Sequence, residues 1–185
     1  MSAARVVATC AGTLFAATLA LAQAPDLAGT WRLDLDVSNV DAAVSLDGLS
    51  GTTETETLHI TQPANRTVMI ESSMRQSQAR LYQPGGKTSN RILLGEPGTL
   101  TLESKWEGQS LVSEGLREFS AGDAKPVAVS EVIRLRDNGE TLEIVVTAST
   151  ADGPKTSTLL YKKAPSLGPC ESWPSPCKRP GAQDP

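Results

Sequence analysis

The chain has 185 residues, with 17 Lys and Arg, 21 Asp and Glu and one His, for a net charge of −4. That length accommodates one domain, or one domain and a tail. An acidic chain with 4% aromatic residues has no basic stripe for a phosphate backbone, which argues against nucleic-acid binding. One His and three Cys are too few for most multi-ligand zinc or haem sites, so no metal and no cofactor is expected.

Residues 1–22 read as a secretory signal peptide. Arg5 is the one charge before the apolar, small-residue stretch from Val6 to Leu21. Ala20-Leu21-Ala22 and Ala22-Gln23-Ala24 both present small residues at the spacing a signal peptidase requires. Cleavage after Ala22 is preferred, because cutting after Ala24 places Pro25 beside the scissile bond. An uncleaved anchor and a lipid-modified Cys10 are the alternatives. The apolar run is shorter than the roughly 20 residues of a spanning helix. Cleavage removes Arg5 and Cys10, leaving 16 bases against 21 acids and the cysteine pair Cys170 and Cys177. An even pair in an exported chain reads as a disulfide. Its loop, 171–176, is too short to constrain much of the fold. The chain is expected in the periplasm or outside the cell, with no membrane span after cleavage.

From residue 29 to 164 the sequence alternates with period two between turn residues. The first strand, 30–36, carries Trp31, Leu33 and Leu35 on one face and Arg32, Asp34 and Asp36 on the other. A long connection, 37–53, follows; Ser38 or Asn39 could cap one helical turn there, or the segment could cover one end of the fold. Strands are expected at 56–62, 67–72, 77–83 and 89–94, separated by Pro63-Ala64-Asn65, Pro84-Gly85-Gly86 and Gly95-Glu96-Pro97-Gly98. The next strand, 99–107, is joined through Gly108-Gln109 to a partner starting at Ser110. A type II′ turn there sets Trp106 opposite Leu111, Ser104 opposite Ser113 and Leu102 opposite Gly115. Strand 127–136 joins strand 141–148 through Asp137-Asn138-Gly139-Glu140. A type I′ turn at Asn-Gly pairs Leu135 with Leu142, Ile133 with Ile144 and Glu131 with Val146. Asp152-Gly153 then pairs Val146 with Leu159 and Ile144 with Tyr161, on strand 156–163. Three turns select the same inward face. About ten short strands and tight turns make an all-β, up-and-down antiparallel meander, expected to close into an 8–10-stranded barrel. Residues 23–164 form that barrel, and 165–185 a Pro-rich surface tail.

The stretch Asp26-Leu27-Ala28-Gly29-Thr30-Trp31-Arg32-Leu33 resembles the G-x-W opening of the lipocalin and fatty-acid-binding-protein (calycin) superfamily. With the mid-chain Trp106-Glu107-Gly108, the chain looks like small exported bacterial lipocalin-like proteins. The resemblance covers about residues 26–164. It implies that Gly29 begins the first strand and that Trp31 plugs the closed end of a barrel. The departures are specific. There is no Thr-Asp-Tyr motif between later strands, and no late Arg to stack on Trp31, only Lys162 and Lys163. The last strand reads Leu160-Tyr161-Lys162 where fatty-acid-binding proteins carry Arg-x-Tyr. The resemblance implies a barrel with a cavity and does not carry over fatty-acid or retinoid binding.

Two charges fall on the inward face, Arg117 and Glu131. Burial of either alone costs several kcal/mol, so they are expected to pair with each other, opposite or diagonally, or to meet a ligand or water. The functional reading makes Arg117 the anchor for a carboxylate or phosphate; the alternatives are a structural ion pair or a bulge that turns one charge outward. Tyr161 and Tyr82 either place a hydroxyl in the cavity or, the preferred reading, pack in the core with the hydroxyl at a rim, and Trp106 lines the interior. His59 shares a face with Thr55, Thr57 and Thr61, which reads as solvent-facing. Glu54 and Glu56 lie in a Thr-rich run read as exposed. Asn65-Arg66-Thr67 matches a glycosylation acceptor. Trp173 lies in the cysteine loop, as a cover for an apolar patch or a partner contact. No nucleophile elbow, P-loop or zinc-protease motif occurs, so no enzyme is expected.

The sequence thus supports an exported barrel that holds a small apolar or lipid-like molecule, with Arg117, Glu131, Tyr161 and Trp106 as its contacts. The alternative is a non-catalytic envelope structural or interaction protein whose barrel is filled by its own side chains.

Overall fold

The computed structural model describes residues 24–41, 44, 56–63, 67–72, 79–93, 97–120 and 124–165. The signal peptide, Glu54, Asn65 and residues 166–185 of the Pro-rich tail, with Cys170, Trp173 and Cys177, lie outside the described residues.

Ten strands follow in chain order: β1 (Gly29–Leu33), β2 (Thr57–Thr61), β3 (Val68–Ser72), β4 (Ala79–Tyr82), β5 (Gly86–Ile92), β6 (Gly98–Glu107), β7 (Ser110–Phe119), β8 (Val127–Arg136), β9 (Thr141–Thr150) and β10 (Gly153–Ala164). They form one antiparallel sheet in the order β4-β3-β2-β1-β10-β9-β8-β7-β6-β5. Every chain neighbour pairs in space except β4 with β5, and the first strand is zipped to the last through Thr30 and Ala164. The sheet therefore curls into an almost closed barrel with a seam between β4 and β5. No helix is found among the described residues except a short 3-10 turn, Asp137–Gly139.

Turn chemistry sets most of the register. Gly108 takes φ +59, and the strands it joins pair Trp106 with Leu111, Ser104 with Ser113 and Leu102 with Gly115. Asn138 (φ 57) and Gly139 (φ 92) form the Asn-Gly turn. The Glu140 amide donates to the Asp137 carbonyl at 3.2 Å, and Leu135 meets Leu142, Ile133 meets Ile144 and Glu131 meets Val146. The third hairpin departs from expectation by two residues. Its loop is Ala151-Asp152, and Gly153 (φ +103) already pairs with Thr150. Ile144 consequently meets Leu159, Val146 meets Ser157 and Tyr161 meets Leu142. Because side chains alternate with period two, a two-residue shift changes partners and leaves every residue on its expected face.

Inside, the two ends differ. At the end carrying the Gly108 and Asn138 turns, Leu27 and Trp31 are buried. The Trp31 indole donates to the Leu27 carbonyl at 3.1 Å, and Lys163 stands over its ring at 5.9 Å from the centroid. Gln62 ties down the strand entering this plug, accepting from the Leu27 amide and donating to the Pro25 carbonyl, each at 3.1 Å. Leu111, Ile133, Leu142, Ile144 and Leu159 fill the apolar core around it. Removing their surface from water stabilises the barrel by about 1.5–3 kcal/mol per side chain.

The connection after β1 follows β10 before departing. Asn39 bridges Thr158, and the Ser38 hydroxyl donates to the Asp34 carbonyl at 2.6 Å while accepting from the Leu160 amide at 3.0 Å. Residues 37–41 hold no helical turn, because these groups bond to the sheet instead of capping a helix. Farther on, Val44 is buried.

Candidate functional site

Midway along the barrel the inward face becomes polar. Glu131 on β8 is 1% exposed and Arg80 on β4 is 6% exposed. The Arg80 Nη2 donates to Glu131 Oε1 in a buried ion pair. The Tyr82 hydroxyl donates to the other carboxylate oxygen at 2.8 Å. Arg80 and Tyr82 share the inward face of β4 because they are two residues apart, and the Arg80 guanidinium also lies 5.6 Å from the Tyr82 ring centroid. Burial works against the Arg80 charge, and the Glu131 carboxylate beside it reverses that, holding its pKa above the ordinary value. Burial pushes the Tyr82 phenol well above its ordinary value.

A second polar group stands on β10, β3 and the entrance to β2. Glu56, 0% exposed, accepts from the Ser72 hydroxyl at 2.9 Å and from the Tyr161 hydroxyl at 3.4 Å. Burial, and then the Glu56 charge, drive the Tyr161 phenol well above its ordinary value. Ser104 and Ser113, also buried, share a hydrogen bond of 2.8 Å across β6 and β7.

The expected site residues are redistributed. Arg117 and Glu131 do not pair. Register places Arg117 opposite Val127 and Glu131 opposite Ser113, which separates them by about 13 Å along the strands. Arg117 remains inward and largely buried, near the end opposite Trp31, with its guanidinium 4.6 Å from the Phe119 ring centroid; burial lowers its pKa. The partner Glu131 takes comes from across the barrel, a contact that hairpin register cannot reveal. The tyrosine hydroxyls lie deep inside rather than at a rim. Trp106 faces inward as expected, and its Nε1 is buried with no acceptor among the described residues.

Two residues expected in solvent are buried. Glu56 turns inward because it continues the β2 face that carries Leu58 and Ile60. His59, 6% exposed, faces outward but lies between Thr30 and Glu71 of the flanking strands. The Thr30 hydroxyl is 3.3 Å from its Nδ1, and burial lowers its pKa.

Arg80, Ser72 and Asn90 were not singled out from sequence. Arg80 had one usable signal: it alternates with Tyr82 on a short strand bounded by turn residues. Its Nε is buried and, like that of Trp106, lacks an acceptor among the described residues. Among the described residues no group of three His, Cys, Asp or Glu is placed to hold a metal, and no helix is long and apolar enough to cross a membrane.

No family model and no curated protein matches the chain. Among solved structures it is similar to the zebrafish ileal bile acid-binding protein complexed with cholic acid, at 14% identity and a TM-score of 0.49, over 74% of this chain and 98% of that one. A likeness of this size assigns neither a ligand nor a site.

Proposed function

We propose that this chain is an exported, non-catalytic binding protein that holds a small apolar or amphipathic molecule inside its barrel. The observation that carries the reading is the buried Arg80 Nε without an acceptor, set in a polar layer between apolar walls. A buried donor left unsatisfied costs about 1–3 kcal/mol, which a ligand oxygen recovers on binding. Ser72, Ser104 and Ser113 put only small side chains at that level of the interior, while Trp31 and Leu27 seal one end. Arg117, stacked on Phe119 toward the other end, stands where a ligand's polar group would pass or rest. The exported location rests on residues 1–22 and on Cys170 and Cys177, and is part of the same proposal.

A second reading has its own observation. Both oxygens of Glu131 are satisfied by the protein's own Arg80 and Tyr82, as in a barrel that is simply filled and meets a partner through its surface.

Native mass spectrometry of protein purified without refolding separates the two. The binding reading expects a lipid-like passenger and saturable fluorescence of Nile red, a neutral apolar probe. An empty protein that leaves Nile red dark refutes it in favour of the filled barrel. Intact mass of the exported form is expected to begin at Gln23 and to be lighter by two hydrogens than the reduced chain; retention of residues 1–22 refutes export by cleavage.

A further inference from the structure

The charges at the polar layer say which ligand head group it accepts. The Arg80 guanidinium is already neutralised by Glu131, whose second oxygen is taken by Tyr82. At this pair the donor left without an acceptor among the described residues is the Arg80 Nε N–H. A ligand carboxylate accepting that N–H would bring a second negative charge beside a buried one, and at such separations in a poorly screened interior like charges repel strongly. It would also have to shed its own hydration without gaining an unpaired cation. A hydroxyl, ether or carbonyl oxygen accepts the same N–H with no charge to bury. Resting on the binding reading above, we infer that the barrel selects a neutral, oxygen-bearing apolar molecule, a long-chain alcohol or ester rather than a fatty-acid anion, and that Glu131 is the specificity-determining residue.

The test compares a matched pair, hexadecan-1-ol and hexadecanoate, as competitors of Nile red on the full exported protein at neutral pH. The alcohol is expected to displace the probe at a concentration at least about tenfold lower, which corresponds to about 1.4 kcal/mol of discrimination. Equal potency, or a stronger carboxylate, overturns the inference. In Glu131→Gln the guanidinium loses its internal counter-ion, so the preference is expected to invert; a ratio unchanged from the native protein also overturns it. Should that variant fold poorly, its melting temperature or refolding yield is read with each lipid. Greater rescue by hexadecanoate supports the inference, and greater rescue by the alcohol or none by either overturns it. If Nile red does not bind the native protein, the binding reading itself has failed, a result distinct from binding without discrimination.

Discussion

The seam between β4 and β5 is held by side chains where other neighbours are held by a backbone ladder. Asn90 carries a donor and an acceptor in one plane, as a peptide does, and uses both on a single residue. Its Oδ1 accepts from the Leu81 amide at 2.8 Å and its Nδ2 donates to the Leu81 carbonyl at 3.0 Å. The Thr88 hydroxyl donates to the same carbonyl at 2.9 Å. In Asn90→Ala the carbonyl keeps Thr88, whereas the amide loses its acceptor. Two hydrogen bonds at about 0.5–1.5 kcal/mol each set a range of about 1–3 kcal/mol. The half-exposed position of Leu81 lets water recover part of it, so about 1–2 kcal/mol is expected. The loss is local: the Leu81 amide should exchange with solvent roughly 5- to 30-fold faster, while amides of the central β8–β9 ladder slow or quicken only with global stability. Native-state hydrogen exchange followed by NMR reads both. Unchanged protection at Leu81, or equal losses at Leu81 and Ile144, refutes the idea that this amide closes the seam.

Three further outcomes are expected. Both tyrosines of the chain, Tyr82 and Tyr161, are buried with phenols held well above their ordinary value. Tyrosinate absorbance should therefore stay absent through pH 10 and rise only with unfolding; a smooth titration near 10 in the folded barrel contradicts the assignment. His59 is the one histidine, and burial lowers its pKa below 6.5. Above that value both folded and unfolded chains hold it neutral. As pH falls the unfolded chain binds the proton first, so stability drops from about pH 6.5 down through the folded value. Urea denaturation from pH 7 to 5.5 should show this slope in the native protein and lose it in His59→Gln; identical slopes refute the link. Finally, a Cβ at Gly115 would be driven into the Thr101 carbonyl across β6. Gly115→Ala should cost at least about 1–3 kcal/mol, read as a lowered denaturant midpoint, whereas Gly108→Ala meets open space and pays only for its positive φ.

The fold was legible because turn chemistry is local. Gly108-Gln109 and Asn138-Gly139 fix their hairpins within four residues, and their registers pass outward to Trp106, Ser113 and Ile144. The error at Gly153 has the same origin: the positive-φ glycine begins the strand instead of completing the turn. The site was less legible because its contacts cross the interior. Arg80 and Glu131 are 51 positions apart, and no hairpin joins their strands. Alternation placed Glu131, Tyr82 and Tyr161 inside but could not pair them. His59 and Glu56 were misjudged for a different reason: threonine-rich alternation looks wet on either face, and burial at a strand entrance or between flanking strands leaves no period to read.

The pairing of Thr30 with Ala164 has a kinetic consequence. A strand made at the beginning has its outer neighbour made at the end, so the hydrogen bonds that complete the cylinder are among the least local contacts available to the polypeptide. Such topologies fold slowly, since a large closure entropy precedes the reward. The hairpins around Gly108 and Asn138 can assemble early; β1, with its Trp31 plug, must wait, and until β10 arrives it presents an unmatched edge to whatever else is in solution.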